Sequence, residues 1–137
     1  MKLSAGNSLY LGSLPRGCQL CIEGVKLVLF ITGLCDRRCY YCPLSRDRRY
    51  VDAIFADEVP INSVFEAILE AIAIDSKGAG ITGGDPIIVL KRVVQYVKLL
   101  KEFFGKDYHI HLYTPGLHVT QEVLETLARA GVDEIRF

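Results

Sequence analysis

Three cysteines in eight residues, Cys35-x3-Cys39-x2-Cys42, follow directly on an unbroken apolar run from Leu27 to Ile31 that is closed by Gly33. No other feature constrains the fold so strongly. A run of this length, rich in Val, Ile and Phe and bounded by glycine, reads as a strand buried on both faces, the kind found in parallel sheets. The thiols then stand at the strand's C-terminal end, where α/β sheets bind their ligands. Three thiolates on one short loop select soft metals: zinc, copper(I) or iron–sulfur clusters. Three protein ligands also leave a coordination position open, which separates a reactive centre from a purely structural one.

The rest of the chain supplies a sheet for that strand. Ser63 to Glu66 has the form of a capping box, and Val64, Phe65, Ile68, Leu69 and Ile72 recur at helical spacing to about Asp75. Gly78 to Thr82 reads as a second strand, ended by Gly83-Gly84-Asp85-Pro86. Val89, Leu90, Val93, Val94, Val97 and Leu100 define a second helix that stops near Gly105. Tyr108 to Tyr113 is the third strand. Thr120 caps a third helix with Val123, Leu124, Leu127 and Ala128 facing inward, Gly131 closes it, and Asp133 begins a fourth strand.

Strands alternating with helices make βαβ units and a parallel sheet. The expected class is therefore α/β: a partial (βα) barrel of about four strands and three helices. A full eight-unit barrel takes roughly 200 residues or more, so 137 residues suggest an N-terminal half truncated after its fourth strand. Residues 26–137 are expected to form that half. Residues 1–25, with Cys18-x2-Cys21, are expected to be an irregular lead-in, and Pro43 to Pro60 a long loop holding a short strand or a single helical turn.

Sixteen basic residues balance sixteen acidic ones, so net charge gives no argument for nucleic acid or an anionic membrane. The N-terminus lacks an apolar leader, and no stretch approaches the roughly 20 apolar residues that span a bilayer. This points to a cytoplasmic protein without membrane contact. All five cysteines fall in the first 42 residues, which suits metal ligation in a reducing compartment better than a disulfide framework.

The cysteine spacing, with the aromatic Tyr41 before its last member, resembles the signature of the radical SAM superfamily. Gly83-Gly84-Asp85, one strand later, resembles that family's Gly-Gly-Glu motif with Asp for Glu. The resemblance covers residues 26–137 and implies a TIM-like barrel with a [4Fe–4S] cluster on Cys35, Cys39 and Cys42. It further implies S-adenosylmethionine on the fourth iron, Tyr41 near the adenine, and Gly83, Gly84 and Asp85 at the methionyl end. Reductive cleavage to a 5′-deoxyadenosyl radical would follow, fed by an electron donor such as ferredoxin or flavodoxin. Substrates in the family are small molecules, tRNA or proteins. The two motifs look most like those of molybdenum-cofactor biosynthesis enzymes and activases of glycyl-radical enzymes.

Other readings stand beside this one. Cys18, Cys21, Cys39 and Cys42 have the spacing of a four-cysteine zinc module, non-catalytic and with Cys35 unused. A truncated chain could also keep a cluster and lack catalysis. Cys18 and Cys21 alone are half of a second metal site or a redox dithiol. Asp85 also suits a plain N-cap with Pro86 as first helical residue. His109 and His111 share a face of the third strand with Tyr113, and hydrogen-bonded structural roles are favoured over ligation. Arg37, Arg38, Arg46, Arg48 and Arg49 are five of nine arginines within thirteen residues. They read first as solvated loop charges. Their other readings are tuning of a cluster for Arg37 and Arg38, and contact with a phosphate-bearing or RNA substrate for the group at 46–49.

Overall fold

The structure, a computed structural model, describes residues 1–5 and 7–137. Its centre is β3 (Lys26–Thr32), followed along the chain by β6 (Gly78–Gly83), β7 (His109–Tyr113) and β8 (Glu134–Arg136). These four strands are parallel neighbours in that order. Between them run α2 (Val64–Ala73), α3 (Leu90–Phe104) and α4 (Gln121–Ala130). This is the expected α/β pattern of four parallel strands and three helices.

Local chemistry explains the helix ends. Ser63 Oγ accepts from the Glu66 amide, while Glu66 reaches back to the Asn62 amide, one residue before the expected partner. Thr120 accepts from the Val123 amide, and Gly131 ends α4 in the left-handed region at φ 112°. Asp85 caps a single 3-10 turn, Pro86–Val89, that leads into α3.

One face of the sheet is apolar. Leu27, Leu29, Ile31, Ala79, Ile81, Ile110 and Leu112 are buried there against Val93, Val97 and Leu100 of α3, Ala67 and Ile68 of α2 and Leu127 of α4. The alternate residues point the other way: Lys26, Gly78 and His109 are cross-strand partners, as are Gly80, His111 and Glu134. That second face carries the polar chemistry.

Three expectations need correction. Residues 1–25 are not irregular throughout: they hold a small hairpin, β1 (Lys2–Leu3) with β2 (Leu9–Tyr10), and a helix, α1 (Arg16–Ile22). Helix α1 is too short to show amphipathic periodicity in the sequence, and it forms by packing Gly17 and the buried Leu20 against the polar face of the sheet. The loop after the cysteines contains an antiparallel hairpin, β4 (Ile54–Ala56) and β5 (Val59–Ile61), which extends the sheet beyond β3. The turn at Asp57 takes φ 53°, and the Asp57 carboxylate accepts from the Val28 amide at 2.8 Å. Helix α2 buries Val64, Ala67, Ile68 and Ala71, whereas Phe65, Leu69 and Ile72 are exposed. Small alanines let that side approach the sheet closely, so the larger residues expected inside lie outside.

Candidate functional site

The cysteine loop and the Gly-Gly-Asp segment lie fifty residues apart in sequence, and backbone hydrogen bonds join them. The Gly84 amide donates to Thr32 O at 2.8 Å, and the Asp85 amide donates to Leu34 O at 2.7 Å. Only glycine permits this. A Cβ on Gly84 would overlap the carbonyl oxygens of Leu34 and Gly33, and one on Gly83, at φ 143°, would overlap Thr32 O. From the other side Gly33 donates to Val51 O and accepts from the Tyr50 amide, both at 2.8 Å, so a Cβ there would strike Arg48 O.

The result is a cleft of about 350 Å³ at the C-terminal ends of β3, β6, β7 and β8. Cys35, Cys39, Cys42 and Tyr41 stand on one wall with Gly83 and Gly84, and Tyr113, Thr114 and Arg136 on another. All three cysteines are free and partly exposed. The Arg37 amide donates to Cys35 Sγ at 3.4 Å and the Cys42 amide to Cys39 O at 3.2 Å. The thiols face one space without converging: among the described residues, no three Cys, His, Asp or Glu side chains are placed to share a metal ion. Tyr41 is 71% exposed, packs edge-on against Tyr40, and its hydroxyl is pushed above the usual phenol value by the neighbouring Cys39 sulfur.

Asp85 is 1% exposed. Its Oδ1 accepts from the Ile87 amide at 3.1 Å and from the Thr114 hydroxyl at 2.9 Å, so it caps the turn that leads into α3 and ties down the end of β7. Its Oδ2 is buried with no partner among the described residues. An orphaned carboxylate oxygen beside a glycine-built cleft points to a missing hydrogen-bond donor.

Sequence reasoning missed the braces behind the cysteine loop. Arg49 donates to Cys39 O at 3.0 Å, and the Tyr50 hydroxyl donates to Arg37 O at 3.0 Å. Arg48 stacks over Phe55, 4.0 Å from its centroid, and pairs with Glu58. Arg48 and Arg49 therefore point inward to hold the loop and are not spare charges. Deeper in, the buried Thr32 hydroxyl donates to Asp52 at 2.8 Å, and Arg92 clamps the Asp52 carboxylate with two bonds of 2.6 and 2.9 Å. Arg92 and Thr32 hold that carboxyl down at about 2 against partial burial. Only the pairing across forty residues identifies these groups, and no local spacing announces it.

Cys18 and Cys21 lie on α1, away from this cleft, and do not join Cys39 and Cys42. The four-cysteine zinc arrangement is thus not assembled. His109 and His111 sit at the opposite end of the sheet's polar face, with their Nδ1 atoms 3.0 and 2.9 Å from Lys26 Nζ. They take the structural role that was favoured for them.

Residues 29–137 match the family profile of the Radical SAM superfamily. The chain is also 51% identical over 123 residues to a protein of Methanocaldococcus jannaschii with the provisional name glycyl-radical enzyme activating enzyme. That alignment takes in 90% of this chain and 32% of the relative, so the chain spans about a third of the relative's length. No solved structure matches. Among the described residues, no helix is long and apolar enough to cross a membrane.

Proposed function

The chain belongs to the radical SAM superfamily, and from that premise we propose that Cys35, Cys39 and Cys42 hold a [4Fe–4S] cluster, with S-adenosylmethionine bound in the adjoining cleft. The unpartnered Oδ2 of Asp85, on the segment that follows a cleft lined by three thiols and by Gly33, Gly83 and Gly84, supports this reading most strongly. The donor set fits a soft iron–sulfur centre. When bound, the cluster supplies the electron that cleaves S-adenosylmethionine to methionine and a 5′-deoxyadenosyl radical, which takes hydrogen from the substrate.

The chain's own residues position these groups. Gly83 and Gly84 bring backbone close to the methionyl end, and buried Asp85 fixes their geometry while its free oxygen serves an ammonium donor directly or through water. Tyr41 and the apolar rim of Pro43 and Leu44 cover the nucleoside and exclude water. Arg49 and Tyr50 hold the loop as its thiols draw together. The electron that this centre would supply would come from a donor such as ferredoxin or flavodoxin. The relative's name favours a protein substrate, a glycyl-radical enzyme, with the substrate contacts of the whole protein extending beyond this chain.

The test is metal content after strictly anaerobic preparation and reconstitution. About four iron and four sulfide per chain, lost in Cys35→Ala, Cys39→Ala and Cys42→Ala and kept in Cys18→Ala, are expected. One zinc per chain that depends on Cys18 and Cys21 but not on Cys35 would overturn the reading.

A further inference from the structure

Towards the N-terminal end of the polar face the chain builds a second charged site, which meets the cleft at Arg136. Gly78 and Gly80 leave room for Lys26 and the His111 ring, and Gly17 of α1 lies against Arg136, Glu134 and His109. The three protons of the Lys26 ammonium go to His109 Nδ1, His111 Nδ1 and His109 O, at 3.0, 2.9 and 3.1 Å. Arg136 spends its guanidinium on Glu134 at 2.7 Å, the Tyr113 hydroxyl at 2.8 Å and Cys18 Sγ at 3.3 Å. Cys21 lies within electrostatic reach of Lys26, whose amine burial lowers to about 8 and that sulfur partly restores.

Two thiols three residues apart share one side of a short helix; Cys18 Sγ lies 3.3 Å from the Arg136 guanidinium, and Cys21 is exposed. This favours exchange chemistry over metal ligation for two reasons. A guanidinium and an ammonium repel a metal dication, and the remaining candidate ligands are engaged, both imidazoles by Lys26 and Glu134 by Arg136. Cysteines in electropositive, partly exposed settings are the reactive ones. Cys21 is exposed and Cys18 half-buried under Arg136, which divides the roles of attacking and resolving thiol.

We propose that Cys18 and Cys21 form a redox-active dithiol that closes reversibly to an intramolecular disulfide by exchange with a small-molecule disulfide. Cys21 sulfur attacks one sulfur of that disulfide, releasing the first thiolate. Cys18 sulfur then attacks Cys21 Sγ in the mixed disulfide and expels the second. Two electrons pass to the small molecule, and the two thiol protons end on the thiols it becomes. Helical i,i+3 Cβ atoms are about 5–6 Å apart and a disulfide needs about 3.5–4.5 Å, so closure tightens one turn of α1. Closure takes the acceptor from one arm of Arg136, whose other arm holds Tyr113 on the cleft wall.

Trypsin isolates the pair in one peptide, residues 17–26, apart from Cys35, Cys39 and Cys42. The full chain is equilibrated anaerobically in glutathione buffers of rising oxidised fraction, quenched with acid, alkylated and digested. The expected result is a two-electron transition in which peptide 17–26 loses both alkylation sites and two mass units. Cys18→Ser should stop at a glutathione adduct on Cys21. Cys18→Ser is checked for folding by circular dichroism, and the wild-type transition reads the proposal independently of it. Full alkylation in every buffer, a wild-type adduct that never resolves, or a zinc ion that shields both thiols and is lost in Cys18→Ser would each overturn the proposal.

Discussion

Glycines build both ends of the sheet's polar face, to opposite effect. At the C-terminal end Gly33, Gly83 and Gly84 lie against backbone carbonyls, so backbone segments approach closely beside three free thiols, and the buried Asp85 Oδ2 has no partner among the described residues. At the N-terminal end Gly17, Gly78 and Gly80 face mostly side chains, and Lys26, His109, His111, Glu134 and Arg136 fill the room and satisfy one another. One end keeps a buried polar atom without a partner among the described residues. The other is finished by the chain itself, and Arg136 touches both.

Matched glycine substitutions test that difference most severely. Gly84→Ala drives a Cβ into Leu34 O and Gly33 O, backbone atoms held by hydrogen bonds. The expected loss is about 4 kcal/mol or more in chemical unfolding, together with loss of bound iron. Gly80→Ala meets the His111 ring, with Nε2 at 2.8 Å, and a ring edge can give way, so about 2 kcal/mol is expected. Equal costs would mean that the cleft is not held by backbone packing.

The filled end carries a pH signature. Burial, and then the charge of Lys26, push His111 down to about 3, with Arg136 and His109 acting in the same direction and Glu134 against it. A histidine kept neutral in the fold titrates near 6.5 when unfolded. Its contribution to stability is therefore full above about pH 6.5 and is lost as pH falls towards 3, because the unfolded chain binds the proton first. The free energy of unfolding from denaturant titrations should drop along that limb by an amount on the order of 3 kcal/mol. In His111→Gln the limb should flatten. An unchanged limb would place the acid sensitivity elsewhere.

How much of this could be read beforehand follows from the same contrast. The cleft's ingredients are local in sequence: a cysteine triplet after an apolar strand, and Gly-Gly-Asp after the next. The helix caps Ser63, Thr120 and Gly131 were legible for the same reason. Helix α1 was not, because its seven residues are ordered by contact with β6 and β7 across more than fifty residues of sequence. The buried face of α2 is only partly legible because the repeat of Val64, Phe65, Ile68, Leu69 and Ile72 draws the large residues together, while the face that packs includes the small Ala67 and Ala71. Arg48 and Arg49 read as solvated loop charges, and Asp52 and Arg92 carried no signal at all, because their partners come from distant parts of the chain.

A third prediction concerns the support beneath the cleft. Asp52→Asn weakens the clamp between Arg92 and Thr32 under the start of the cysteine loop. The carboxylate is 42% exposed, so solvent screens the pair, and the expected cost is about 1 kcal/mol. Because the folded carboxyl sits at about 2, that contribution is present above its unfolded value and lost as pH falls below about 4. Wild type and Asp52→Asn should converge in stability at pH 2.

The smallest expected change separates stability from function most cleanly. Tyr50 takes φ 64°, with its amide on Gly33 O and its hydroxyl on Arg37 O, so it links the floor of the cleft to the middle of the cysteine loop. Tyr50→Phe keeps the backbone bond and the ring that lies against the Arg49 guanidinium, and removes one exposed hydrogen bond worth about 0.5 kcal/mol. Global unfolding should scarcely move. If residues 35–42 must be held for their thiols to act together, iron should nonetheless leave several times faster on challenge with a chelator. The corresponding change on the wall opposite the cysteines, Tyr113→Phe, removes the hydroxyl's bond to Arg136 and should leave iron release as it was. Faster release in both variants would show that the two ends are coupled through Arg136. Faster release in neither would show that the loop is organised by its ligand alone.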